Sequence, residues 1–149
     1  MKILSIHADF IEFEAKKEAF KGAEKGIDKG KHRIEECLVI FTAVEKGDES
    51  NIKGVLERYV VEVKKIAEQV SVEKIVVYPY AHLSSDLASP VVAEQFLKDA
   101  QKELEREFIV DRAPFGWYKS FNITCKGHPL SELSRQFGAE EKSLGLKKE

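Results

Sequence analysis

Between Ser50 and Val70 the apolar residues Leu56, Val60, Val63, Ala67 and Val70 recur at alternating steps of four and three. No other feature of the chain constrains its fold as firmly, because only one face of an α-helix brings such positions together. A helix with one apolar face needs a surface to bury it against, and the flanking sequence supplies one. EECLVIFTAVEKGD before it reads as a buried strand ending in a turn at Gly47 and Asp48, and EKIVVYPYAHLSS after it as a central strand running into a loop. Ser89 and Pro90 then open a second helix with an N-cap and a first-turn proline, and Ala93, Leu97, Ala100 and Leu104 give it a buried face. KILSIHADF is a short apolar strand that FIEFE continues as a half-exposed one. FIVDRAP and GWYKSFNITCKG supply two further strands, and HPLSELSRQF a short helical or looped segment. The order of strands, helix, strand, helix and strands predicts a mixed α/β fold, with antiparallel or mixed sheets packed against two main helices.

A chain of 149 residues, 43% of them hydrophobic, makes one domain with a core large enough to fold unaided. The tail GAEEKSLGLKKE is charged and carries no core pattern, so 138–149 reads as linker-like and 1–137 as the domain. No apolar run approaches the length of a membrane span, and MKILSIHADFIEFE meets acidic residues too soon for a secretory signal, so the cytoplasm is the expected location and no membrane the expected partner. Cys37 and Cys125 lie on strand-like stretches without CxxC spacing and are expected as two free, mostly buried thiols. Lys and Arg number 24 against 26 for Asp and Glu, a net charge of −2. That balance argues against coating nucleic acid by bulk electrostatics and leaves room for local RNA contacts. EAKKEAFKGAEKGIDKGKHRIEE, punctuated by Gly22, Gly26 and Gly30, reads as a solvent-exposed excursion.

One residue is out of place. Side chains alternate along a strand, so Lys119 shares a side with Trp117, Phe121, Ile123 and Cys125 and points where the core should be. Either it snorkels out at the strand end, or its ammonium sits in a pocket with something anionic or electron-rich to meet. His7, Asp9, His82, Cys125, His128 and Glu132 carry metal-ligating atoms, but no pair forms a dense motif such as HExxH or CxxC, and no metal or other cofactor is expected. His7 and Cys125 read as packed, hydrogen-bonded core residues. No GxSxG elbow surrounds a serine, and Ser84 and Ser85 read as turn and capping hydroxyls.

VYPYAHLSS, APFGWYKSFNITCKGHPLSELSR and the opening KILSIHADFIEFE together resemble the archaeal threonyl-tRNA synthetase N-terminal editing domain, whose fold is similar to that of D-aminoacyl-tRNA deacylases. The likeness runs from Met1 to about Arg135. It implies hydrolysis of the ester in seryl-tRNA(Thr), with the terminal adenosine and serine of the tRNA 3′ end, the rest of a synthetase and a second copy in a homodimer as partners. It places Lys119 and Tyr118 in the pocket, His82 at the histidine of the AHLSS loop and Glu132 at the glutamate of the ELSR block. It further implies that the substrate's ribose 2′-hydroxyl and a positioned water would carry much of the activation, with side chains orienting rather than attacking. Ala81, Val44 and Phe115 are the expected pocket walls. The excursion from Lys16 to Lys31 is expected to add nothing to the site. Two other readings fit: a D-aminoacyl-tRNA deacylase, selecting by chirality, and a non-catalytic tRNA-binding appendage, which the acidic net charge disfavours.

Overall fold

The computed structural model describes residues 1–138. Its strands and helices in chain order are β1 (Lys2–Glu18), β2 (His32–Ala43), α1 (Ile52–Val70), β3 (Lys74–Pro79), α2 (Pro90–Leu104), β4 (Ile109–Arg112), β5 (Trp117–Cys125) and β6 (Glu132–Gln136). They form one six-stranded sheet in the order β4-β3-β2-β1-β5, with β6 also paired to β1. β1 runs antiparallel to β2, β5 and β6, while β2, β3 and β4 are parallel. The expected mixed α/β architecture is the one observed. Parallel neighbours need long crossovers, and α1 and α2 are those crossovers.

From Cys37 to Ala43 in β2 and from Ile75 to Tyr78 in β3 the strands are almost wholly apolar and buried, because both faces are covered there. Leu38, Ile40, Ile75 and Val77 face the helices and form the larger core with Val63, Ile66, Phe96 and Leu97. On the opposite face Ile11, Phe13, Val39, Phe41, Val76 and Tyr78 make a second, aromatic-rich core. Helix α1 buries Val55, Tyr59, Val63, Ile66 and Ala67, so its inward face is turned slightly from the expected one, with Leu56, Val60 and Val70 at the margin. Tyr59 escapes a purely apolar count, yet it is fully buried because its hydroxyl meets Thr42 Oγ1 at 2.8 Å. Helix α2 buries the four expected residues and Phe96. Ser89 does occupy its N-cap position and Pro90 its first turn, but the serine hydroxyl makes no cap; the backbone N–H of Ser89 donates instead to Glu49 Oε2 at 2.8 Å.

As expected, FIEFE continues KILSIHADF: both lie in one strand of 17 residues, Lys2–Glu18, with register irregularities between Ala8 and Phe10 and between Ala15 and Lys17. Two expectations are corrected. HPLSELSRQF is neither helix nor loop throughout: from Glu132 to Gln136 it is β6, because the N-terminal half of β1 offers it an open edge from Lys2 to Ile6. Pro129 followed by Ser131 and Glu132 imitates a helix start, and long-range pairing overrides that local signal. Cys37 is buried as expected, but Cys125 is only partly so. Among the described residues no helix is long and apolar enough to cross a membrane. The tail expected from 138 onward lies, past its first residue, outside the described residues.

Candidate active site

Strands β2 and β3 end side by side, and a pocket of about 480 Å³ opens beyond their C-terminal ends. Crevices at the carboxyl ends of parallel strands are recurrent ligand sites, and the volume suits a small molecule or the end of a larger one. Thr42, Ala43 and Val44 leave β2 into it, Tyr78 and Pro79 leave β3, and Ala81 with His82 forms the rim on the short 3₁₀ turn Ala81–Leu83. Ala93 and Leu97 of α2 make one wall, and Phe115, Trp117, Tyr118, Lys119 and Phe121 make the other. Six of the seven expected site residues, drawn from three separate stretches of sequence, therefore line one cavity: Val44, Ala81, His82, Phe115, Tyr118 and Lys119.

Lys119 does not snorkel. Its Nζ donates to the backbone oxygens of Pro114 at 2.9 Å and Trp117 at 3.1 Å, and lies 5.0 Å from the centre of the Tyr78 ring. Burial pushes its pKa from 10.5 down to about 8, against which the Glu24 carboxylate acts. An ammonium has three N–H bonds, so two carbonyls leave one for the pocket. Tyr118 points to the other side of β5 and is 61% exposed at the pocket mouth. The exposed His82 packs its ring edge-on against Tyr80, with centroids 5.1 Å apart.

The charged excursion contributes more than expected. Ala19 and Phe20 line the pocket, and the segment is fastened to the turn before β5. Ala19 N–H donates to Gly116 O and Glu24 N–H to Phe115 O, both at 2.9 Å, and Trp117 Nε1 donates to Glu24 O at 2.9 Å. The Glu24 carboxylate receives Arg112 through both terminal nitrogens, at 2.6 and 3.0 Å, and the Phe115 N–H at 3.1 Å. Burial pushes the Glu24 carboxyl up, but these donors outweigh it and hold its pKa below the usual value. The fit is close at Gly116, whose φ of +80° already favours glycine: a Cβ there would come within 2.7 Å of Phe20 Cε1 and 2.9 Å of Ala23 Cα. Glu24 thus holds the turn whose Pro114 carbonyl holds Lys119.

Glu132 is placed elsewhere. Leu133 packs toward the helices and Arg135 approaches Glu62 of α1 at 4.0 Å, so alternation along β6 sets the exposed Glu132 on the opposite face. Its partner on β1 is Ile6, whereas that of Lys119 is Ala15, roughly 30 Å further along the strand. His7 and His128 meet at 2.7 Å, between His7 Nδ1 and His128 Nε2, away from the pocket. Leu130 N–H donates to His128 Nδ1, so in the neutral pair His128 carries its proton on Nε2 and gives it to His7 Nδ1. No three ligating side chains gather as a metal centre among the described residues. Ser84 is a turn hydroxyl, donating to Glu45 Oε2 at 2.6 Å and accepting from Asp86 N–H.

Residues 1–137 match the model of the Archaea-specific editing domain of threonyl-tRNA synthetase. The chain belongs to this family. It is 55% identical to a threonine–tRNA ligase of Methanococcus vannielii over 140 residues, covering 94% of this chain and 22% of that protein. Against the threonine–tRNA ligases of Methanocaldococcus jannaschii and Methanobrevibacter smithii the identities are 55% and 53% over 142 residues, covering 95% of this chain and 23% of each relative. The chain thus spans somewhat over a fifth of the length of these ligases. Within the editing domain, nothing in the sequence spacing pairs Phe20 and Ala23 with Phe115 and Gly116, because the contact closes over more than ninety residues.

Proposed function

We propose that this domain hydrolyses the ester of L-serine wrongly attached to tRNA(Thr), as the editing part of a threonyl-tRNA synthetase working in the cytoplasm, and that the domain runs from 1 to 137. The observation that carries the reading is Lys119: a half-buried ammonium held by two carbonyls, with one N–H left for a pocket that His82 and Tyr118 also line. That N–H meets the carbonyl oxygen of the bound ester and strengthens its hold as negative charge develops there. A water adds to the acyl carbon, the bond to the ribose 3′-oxygen breaks, and a proton passes to that oxygen, releasing serine and intact tRNA. His82 and Tyr118 orient the water and the ribose, whose own 2′-hydroxyl assists; no side chain attacks.

The selectivity follows from size. A synthetic site chosen for threonine gains only about 1–3 kcal/mol from one methyl, so rejecting serine requires a second site. In this reading Val44, Ala81 and Phe115, which line the pocket, form the wall that admits serine's hydroxymethyl group and refuses the extra methyl. Glu132 reaches this chemistry only if the domain pairs as a homodimer, through the pocket of the second copy. The decisive experiment incubates the chain with seryl-, threonyl- and D-seryl-tRNA(Thr), with and without chelator. Rapid loss of L-serine alone, unchanged by chelator, is expected. Equal rates for serine and threonine, preference for D-serine, or binding without hydrolysis would each refute the reading.

A further inference from the structure

The segment from Lys16 to Lys31 holds six lysines against three acidic residues in a chain whose net charge is −2. Its acids are largely taken: Glu24 by Arg112 and Glu18 by Lys25, while Asp28 faces His32. Lys16 pairs with Glu14. Lys17, Lys21, Lys29 and Lys31 are exposed and have no carboxylate within ion-pair distance among the described residues.

This arm is not a free loop. Ala23 is 2% exposed, Phe20 packs edge-on against Phe115 with centroids 6.2 Å apart, and the Glu24 clamp ties the arm to the turn before β5. The docking sets two lysines beside aromatic rings that line the pocket, one pair on each side of β5. Lys17 is the cross-strand partner of the exposed Tyr118, and Lys29 Nζ stands 5.2 Å from the centre of the Trp117 ring. Interleaved cations and aromatic faces are how proteins hold single-stranded nucleic acid: the cations take phosphates, the rings take bases. A positive lip on an otherwise acidic molecule also tells the strand where to enter.

We propose that the docked lysine arm, through Lys17, Lys21, Lys29 and Lys31 with Tyr118 and Trp117, is the binding surface for the single-stranded RNA that leads into the pocket. This rests on the reading of the pocket as a site for an aminoacylated RNA 3′ end. The lysines contact the phosphates upstream of the terminal nucleoside and the rings stack on the bases attached to them. A substrate without those phosphates gains nothing from the arm.

The test uses the 149-residue chain, a fluorescent single-stranded RNA ending in CCA, and two esters: seryl-tRNA(Thr) and seryl-adenosine, which has no upstream phosphate. Replacing the four lysines together by glutamine should weaken RNA binding at least tenfold at low salt. It should also flatten the slope of log affinity against log salt by about 3, as expected for four contacts to a single strand. The variant should lose seryl-tRNA(Thr) hydrolysis at subsaturating substrate and hydrolyse seryl-adenosine like the wild type, and arginine at all four positions should restore binding. Unchanged RNA affinity and salt slope in the glutamine variant would overturn the proposal. So would loss of seryl-adenosine hydrolysis in a folded variant, which would move the lysines into the pocket chemistry, or preferential binding to anionic vesicles over RNA. If the wild type binds RNA with the steep salt slope yet cleaves neither ester, the arm stands and the editing reading fails.

Discussion

Replacing Lys119 by methionine separates what this residue costs the fold from what it gives the pocket. Holding the pKa at about 8 instead of 10.5 makes the ammonium about 3 kcal/mol less stable inside the protein than in the unfolded chain. Methionine keeps the stem and removes the charge, but it gives up the bonds to the Pro114 and Trp117 oxygens, at about 1 kcal/mol each. The variant should therefore match or exceed the wild type in stability at pH 7, by about 1 kcal/mol. The pH dependence is the sharper readout. Between pH 8 and 10.5 the folded wild type has released a proton that the unfolded chain still binds, so this group adds stability as pH rises through that window. The variant should lack that rise. Seryl-tRNA(Thr) hydrolysis at pH 7 should fall at least tenfold, about 1.4 kcal/mol of transition-state stabilisation. Urea unfolding at pH 7 and 10, with single-turnover deacylation on the same preparations, measures both. A variant destabilised by more than 1 kcal/mol at pH 7, or one that keeps the wild-type rate, would refute the reasoning.

Glu24→Gln should cost roughly 3 kcal/mol by stranding the Arg112 guanidinium, the pair being 12% and 13% exposed, and Arg112→Gln in the same chain should recover part of it in denaturant titrations. The same change withdraws the charge that supports the Lys119 ammonium, so the alkaline limb of the deacylation profile should move to lower pH. Burial, then His128 and Lys126, depress the His7 pKa below 6.5, so the unfolded chain binds the proton first and stability should drop as pH falls through 6.5. His7→Gln should flatten that part of the curve when unfolding is compared at pH 7.5 and 5.5. Cys125→Ala should keep the deacylation rate within about twofold, because the thiol packs near Ser131 rather than in the pocket, and any acyl group trapped on it would contradict this.

Periodicity made the helices and the parallel strands legible, because α1 and α2 carry one apolar face each and β2 and β3 two. It also put Lys119 on the right side of β5. What it could not supply were contacts made across long separations. β6 looks like a helix start until the open edge of β1 is known. Tyr59 looks polar until Thr42 is brought opposite its hydroxyl. Glu24 looks like one more solvated acid until the fold sets Arg112 and the Phe115 N–H around it. The site was legible where its residues share short stretches, as in Ala81 with His82 and Tyr118 with Lys119. It was hidden where the excursion folds back over the turn before β5.

Strand β1 is the seam of the sheet, and its two halves wait for different partners. Its outer half finds β5 after about a hundred residues, but Lys2 must wait for Gln136. During synthesis on a ribosome β1 therefore keeps an unpaired edge until residues 132–136 have followed it. Such late, non-local closure slows folding and leaves the nascent chain open to edge-to-edge association. A chain released before residue 132 would keep its pocket residues and lose the strand that seals this edge, so β6 governs how long the unpaired edge of β1 stays open to other chains.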